Sequence, residues 1–248
     1  MTEKIRVRIF LIAGAGFLFL YCLAARNLAP WGQYRGPYGD VVSRNVLVQR
    51  HATDVVNAIT YDYRGFDTLG EEFILFSAVA GVMLLLRKED GPRKLRQGLD
   101  DYATLSETTK VFVIPAIAIS VLFGLYIATH GQLTPGGGFQ GGVILAAAPM
   151  LIYLSQNTRA FQRITSHPFM ELTEALGAAS YALIGIVPLA IGVPFLTNIL
   201  PLGKTGEVFS AGNIALISAC VGIEVTAAFT LIIYAYLQEI ISGAEEKD

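Results

Sequence analysis

Charge is what this sequence has least of. Only 15% of its 248 residues are Asp, Glu, Lys or Arg, against about 25% in a soluble globular domain. Too few charges remain to coat a water-soluble globule, while 53% of the residues are apolar and the mean hydropathy is +0.53. That excludes a cytosolic enzyme as the leading reading. The net charge of −2 argues against a nucleic-acid binder, which would show a basic patch. The two cysteines, Cys22 and Cys220, sit inside apolar runs and read as small hydrophobes, not as a disulfide or a metal pair. The histidines His51, His130 and His167 are too scattered in the sequence for a metal cluster. There is no Ser-His-Asp set, metal-ligand spacing or nucleotide loop. The sequence therefore points to no enzyme, metal or cofactor.

Long apolar runs take the place of charge. A helix needs about 20 residues to cross a hydrocarbon core of about 30 Å. Ile9 to Ala25 and Val111 to Thr129 qualify, as does the shorter Gly141 to Ser155 with uncharged glycines upstream. Ala175 to Gly203 is long enough for a span plus a turn, and Val208 to Gln238 carries one charge, Glu224. Phe73 to Leu86 is too short to span unless it starts near Asp67 or Leu69, which draws Glu71 and Glu72 to the membrane edge. The fold class expected is an all-α integral membrane protein with six transmembrane helices.

Twelve of the 18 basic residues lie on one side if the N terminus is cytoplasmic. The other six are Arg26, Arg35, Arg44, Arg50, Arg64 and Lys204. The positive-inside bias thus favours cytoplasmic N and C termini. The five arginines of the first outer loop suggest a loop docked onto protein. Three parts are expected: a two-span unit over 1–87, a cytoplasmic linker over 88–110, and a four-span unit over 111–248. No internal repeat is visible, which gives no support to an inverted-repeat transporter.

In the first outer loop, apolar residues at Val48, Ala52, Val55, Val56 and Ile59 have helical spacing and predict an amphipathic helix over Asn45 to Ala58. Next comes DYRGFDTLGEE, residues 62–72. Arg64, Asp67, Glu71 and Glu72 cluster there around Gly65 and Gly70. Asp67 or Thr68 can cap the following helix, with Glu71 favoured in its first turn by the helix dipole. The functional alternative is that Glu71 titrates one turn inside a partly dry site.

The second motif is HGQLTPGGGFQGG, residues 130–142. Such a glycine density is not an ordinary helix interior. A phosphate loop is disfavoured, because no Lys-Ser/Thr ending follows. Two readings remain for Pro135, Gly136, Gly137, Gly138, Phe139, Gly141 and Gly142. One is a close-packed turn where helices touch backbone to backbone. The other is a broken-helix entrance to an ion path, tolerated at membrane depth only when buried or lining a cavity. His130 is a candidate proton carrier or an interfacial hydrogen-bonding residue.

The last two spans carry acids. Glu171 and Glu174 are three apart and should share a face. Glu224 lies mid-span, out of reach of either surface, where a charge costs several kcal/mol unless it is paired, protonated or facing a cavity. It is the strongest candidate for an ion or proton site. Ser218, Gly222 and Thr226 recur every four residues beside it and suit tight helix packing.

These motifs carry a resemblance. VVNAITYDYRGFDTLGE, 55–71, is similar to the two-span segment ending the A subunit of Mrp-type multi-subunit sodium/proton antiporters, also found in the E subunit of membrane-bound hydrogenases. HGQLTPGGGFQGGVILAA, 130–147, resembles the signature of the antiporter B subunit and its hydrogenase counterpart, the F subunit. The order is that of a fusion of neighbours in those complexes. The resemblance implies an accessory, ion-path-lining subunit in the inner (cytoplasmic) membrane. Its partners would be other membrane subunits, sodium ions, protons and lipid, with no nucleic acid. The same module inside a redox-driven respiratory or hydrogenase-like complex is the alternative, and a purely structural scaffold is a third. The resemblance maps a motif acid to Glu71, with Arg64 and Asp67 beside it, and a proline and phenylalanine to Pro135 and Phe139. The pumping subunits of the family carry lysine and glutamate on broken helices; this chain has no lysine in its spans and is not expected to pump alone.

Overall fold

The computed structural model describes residues 3–26, 28, 32, 36–86, 107–155, 161 and 163–245. Most of the expected linker over 88–110 lies outside the described residues. Helices and loops make up the described residues, and no strand occurs among them. The chain divides into two compact units, Met1–Val41 and Val42–Asp248.

The first unit contains α1, Glu3–Arg26. Its stretch Val7–Arg26 is apolar enough to cross a membrane, and none of it is buried within the chain.

Helix α2 (Pro37–Arg50) runs through the boundary at 41/42 and supplies the second unit with the buried Val42 and Val46. A short α3, Val55–Ala58, runs into a π turn over Ile59–Tyr63, and α4 follows as Gly65–Leu85. The long helices are then α5 (Glu107–Thr129), α6 (Gly138–Leu154), α7 (His167–Ala190) and α8 (Asn213–Glu245). The expected helix over Asn45 to Ala58 is broken at 51–54. His51 adopts a positive φ of 52° there. The N–H groups of Thr53 and Asp54 leave the helix pattern to donate to the carbonyl of Gln132. Asp54 then caps α3 by accepting from the N–H of Asn57 at 2.7 Å. Tertiary hydrogen bonds to the glycine-rich loop thus outcompete the local helical period.

Five helices are long and apolar enough to span a membrane; α6, with 17 residues, is shorter. At 1.5 Å per residue α6 reaches only about 25 Å. It is short because the chain cannot enter the helix before Gly138: Gly136 and Gly137 hold φ values of +154° and +132°, outside the helical region. The expected run from Ala175 to Gly203 is likewise divided. Helix α7 starts earlier, at His167 with Pro168 in its first turn, and stops at Ala190.

Helix α8 is the hub. It packs on α4, α5, α6 and α7. Ile214, Ile217, Val221 and Val225 form one stripe along it and meet Tyr61, Leu69 and Tyr181 in the main core. A second cluster joins Val79 of α4, Met170 of α7 and Ala227, Ala228 and Leu231 of α8. Lipid is as apolar as these side chains, so close packing and interhelical hydrogen bonds hold such helices together. The glycines are therefore decisive. A Cβ at Gly141 would stand 2.6 Å from the N of Ala128 on α5, and one at Gly142 would stand 2.7 Å from the Cβ of Val225 on α8. At Gly138 it would collide with the carbonyl of Ser218. One edge of α6 thus meets α5 and the other meets α8, backbone to backbone.

Candidate functional site

The loops at 51–64, 130–137 and 191–212 gather at one end of the second unit. Asn57 Nδ2 donates to the carbonyl of Gly136 at 2.9 Å. His51 Nδ1 lies 2.7 Å from the carbonyl of Gly203, and Gln132 Nε2 donates to the carbonyl of Val208 at 2.6 Å. Asp62 joins two of the loops: Arg50 Nε donates to its Oδ1 at 2.5 Å and Asn198 Nδ2 to its Oδ2 at 3.0 Å. The Arg50 guanidinium also stacks over the Tyr63 ring at 5.0 Å. The outer loop is docked as expected, but through His51, Asn57 and Asp62 and not through an arginine; Arg50 pairs with Asp62 and Tyr63 inside the same loop.

Beneath this end lie three buried carboxyl groups, one from each of three helices: Glu72 on α4, Glu174 on α7 and Glu224 on α8. Glu224 is 0% exposed, and the other two are 4% exposed. Glu224 interacts electrostatically with both of the others. Among the described residues, no N–H or hydroxyl donor reaches either carboxyl oxygen of Glu224, Oε2 of Glu72 or Oε1 of Glu174, while the Glu72 and Glu224 carboxyls lie close enough to hydrogen-bond each other once one of them carries a proton. Helices α4, α6, α7 and α8 contain no lysine or arginine to neutralise them. Uncompensated acids at this depth are costly and mark functional sites in membrane proteins.

The local sequence explains how they meet. On α4, Gly65, Thr68, Leu69 and Glu72 are buried at helical spacing, and Glu72 follows Gly65 by two turns. On α7 the buried stripe is Met170, Glu174, Gly177, Ala178, Tyr181 and Gly185. Gly177 has no side chain where α7 crosses Glu224: a Cβ there would stand 2.6 Å from the Cβ of Glu224. The two helices approach closely enough to enclose the carboxyl group. Among the described residues, no three His, Cys, Asp or Glu side chains are close enough to hold a metal ion. The three acids are thus gathered at one place in the bundle without forming a metal-binding group among the described residues.

The other expected site residues fall elsewhere. Glu71 is exposed, 100° around α4 from Glu72. Asp67 and Arg64 form an exposed ion pair at 2.5 Å. Glu171 does not share the buried face of Glu174; it is exposed and pairs with His167 at 3.3 Å, because the buried stripe of α7 runs through Met170 and Glu174. His130 follows the last residue of α5 and is half-buried, its ring stacked on Tyr126 at 4.4 Å. Pro135 is exposed in the loop. Phe139 sets its ring edge-to-face with Phe229 at 6.1 Å.

Sequence reasoning passed over Glu72 in favour of its neighbour. The available signal was the stripe of small and polar residues Gly65, Thr68 and Glu72 at i, i+3 and i+7. It also passed over Tyr61, 3% exposed, whose phenol oxygen sits against the backbone N–H groups of Gly138 and Phe139 where α6 begins. Burial, with Glu72 nearby, pushes the Tyr61 phenol above the ordinary tyrosine range, so it stays neutral.

The family described as a domain related to the MnhB subunit of Na+/H+ antiporter matches residues 108–231. An uncharacterized protein of Methanocaldococcus jannaschii is 33% identical over 263 aligned residues, covering 96% of this chain and 95% of its own. Among solved structures, a chain of the membrane-bound sulfane sulfur reductase, an archaeal respiratory membrane complex, superposes with a TM-score of 0.69 at 31% identity. That match covers 95% of this chain and 99% of the other. A chain of the Mrp complex from Dietzia sp. has the same fold, with a TM-score of 0.68 at 21% identity over 95% of this chain and 26% of that one.

Proposed function

The chain belongs to the family of domains related to the MnhB subunit of Na+/H+ antiporters, and from that premise we propose that it is an accessory, ion-path-lining subunit of a multi-subunit monovalent cation/proton antiporter. It is a multi-pass membrane protein of the cell's inner membrane, with the loop end outside and both termini in the cytoplasm. Other membrane subunits, sodium ions, protons and lipid are its partners. The observation that carries the reading is the buried set Glu72, Glu174 and Glu224, contributed by three helices that contain no lysine or arginine. Transport is its role, and the acids are its working groups. The test is cation-driven proton movement in vesicles holding the whole complex, with each of the three acids changed singly to glutamine. Unchanged rates in all three variants would reduce the chain to a scaffold.

A second reading has its own support. The reductase chain, from an archaeal respiratory membrane complex, matches this one nearly end to end at 31% identity, which supports the same module serving in a respiratory complex. In that setting electron transfer drives the ions. Purification in mild detergent separates the two readings: co-purifying iron–sulfur subunits favour the respiratory one, and antiporter subunits alone favour the first.

A further inference from the structure

A groove of about 570 Å³ opens at the loop end of the second unit. It is lined by Arg50, Asp62, Arg64 and Asp67 on one side and by Phe195, Thr197 and Asn198 on the other, with Gly65 also at its wall. We propose that this groove is the aqueous mouth through which the hydrated cation or proton reaches the buried acids, and that Tyr181 and Tyr61 form the constriction between the mouth and Glu72. The proposal rests on the ion-path reading above and adds the place of entry.

Four observations support it. Polar and apolar groups share the groove wall about equally, Phe66, Phe195 and Leu196 beside the charged and polar side chains, and the ion pairs Arg50–Asp62 and Arg64–Asp67 leave those four residues without net charge. Carboxylates and carbonyls offset by paired arginines would hold a monovalent cation only weakly, and conduction needs sites that an ion can enter and also leave. Gly65 is shared between the groove and the interior: its carbonyl accepts from the Tyr181 hydroxyl at 2.8 Å. A Cβ on Gly65 would stand 3.5 Å from that hydroxyl, so the phenol lies directly behind the groove wall. Tyr181, 0% exposed, is in electrostatic reach of Tyr61 and of Glu72. Finally, Tyr181 shares the buried stripe of α7 with Glu174, and Gly65 shares that of α4 with Glu72. The acids lie two turns deeper along the same two helix faces. Groove, tyrosines and acids form one continuous line from the loop end into the bundle.

The test uses the whole complex in sealed vesicles. Cys22→Ser and Cys220→Ser remove the chain's own thiols. Thr197→Cys then places a thiol inside the groove, and Leu200→Cys places one on the same loop outside it. A membrane-impermeant, positively charged thiosulfonate is added from the loop side, and proton/sodium exchange is read. Modified Thr197→Cys should lose exchange, while modified Leu200→Cys should keep it. Phe66→Cys, at another residue lining the groove, repeats the test should Thr197→Cys fail to assemble. Full exchange after complete modification, or no modification of either groove thiol, overturns the entrance. Glu224→Gln in parallel vesicles keeps the two levels apart: lost exchange there with intact exchange in the modified groove variants leaves the acid path standing and removes only its mouth.

Discussion

Gly177 and Glu224 meet where α7 crosses α8, and a single added methyl group at Gly177 would stand 2.6 Å from the Cβ and 2.8 Å from the Cα of Glu224. Nothing flexible lies in the way that could yield, since the clash includes helix backbone. Gly177→Ala should therefore force the helices apart, at about 1–3 kcal/mol for overpacking. Gly177→Val should do worse. The thermal melt of the purified complex reads this directly, and an unchanged melt for valine would mean that the crossing is looser than described.

Glu71 and Glu72 are adjacent, yet one is exposed and the other buried. Glutamine at each position keeps size and removes charge. Glu72→Gln should depress ion exchange with assembly intact, and Glu71→Gln should change it far less. The reverse ranking, measured in the same vesicles, would move the path to the outer face of α4.

How legible these features were depended on where tertiary contacts intervened. The runs Ile9–Ala25 and Val111–Thr129 declare their helices by apolarity alone, and Glu224 declares itself by its isolation within a long span. The glycine run marked a break, and its backbone-to-backbone packing follows from the absence of side chains at Gly138, Gly141 and Gly142. The choice between Glu71 and Glu72 was harder. The helix dipole favours acids in a first turn and is indifferent to which face they occupy. Only packing against α7 and α8 decides that. The break at 51–54 was hidden for a similar reason, because its cause is the carbonyl of Gln132, nearly 80 residues away in the chain.

Gly137 takes φ +132°, and a Cβ there would stand 2.6 Å from Asn57 Oδ1. Complex assembly should fall in the order alanine, valine, leucine at this position. From the other side of the contact, Asn57→Ala removes the donor to the carbonyl of Gly136. Leaving a part-buried carbonyl unpartnered should cost about 1–3 kcal/mol. Full assembly yield of Gly137→Leu on a native gel would show that the loop tolerates bulk and is not tightly packed.

Asp62 and Asp67 both pair with an arginine, with different consequences. The Asp62 side chain is 7% exposed and holds both Arg50 and Asn198. Asp62→Ala should destabilise the loop end by about 1.5–3 kcal/mol, the range for hydrogen bonds to a charged group. The Arg64–Asp67 pair is half exposed or more on both sides, so Asp67→Ala should cost less than about 1 kcal/mol. Melting curves of the two variants should separate in that order, and equal losses would contradict the difference in burial.

The central claim is that ions move along the buried acids, and Glu224 is the most enclosed of them. The most direct measurement is proton/sodium exchange as a function of pH in vesicles holding the whole complex with Glu224→Gln. Glutamine keeps the shape of the acid and its capacity to hydrogen-bond, so the complex should assemble in wild-type yield. Exchange should then fall, or its pH profile should move, and Glu224→Asp should retain part of the activity. Wild-type rates with an unchanged pH profile in the glutamine variant would contradict the account and leave Glu224 as an interhelical packing residue.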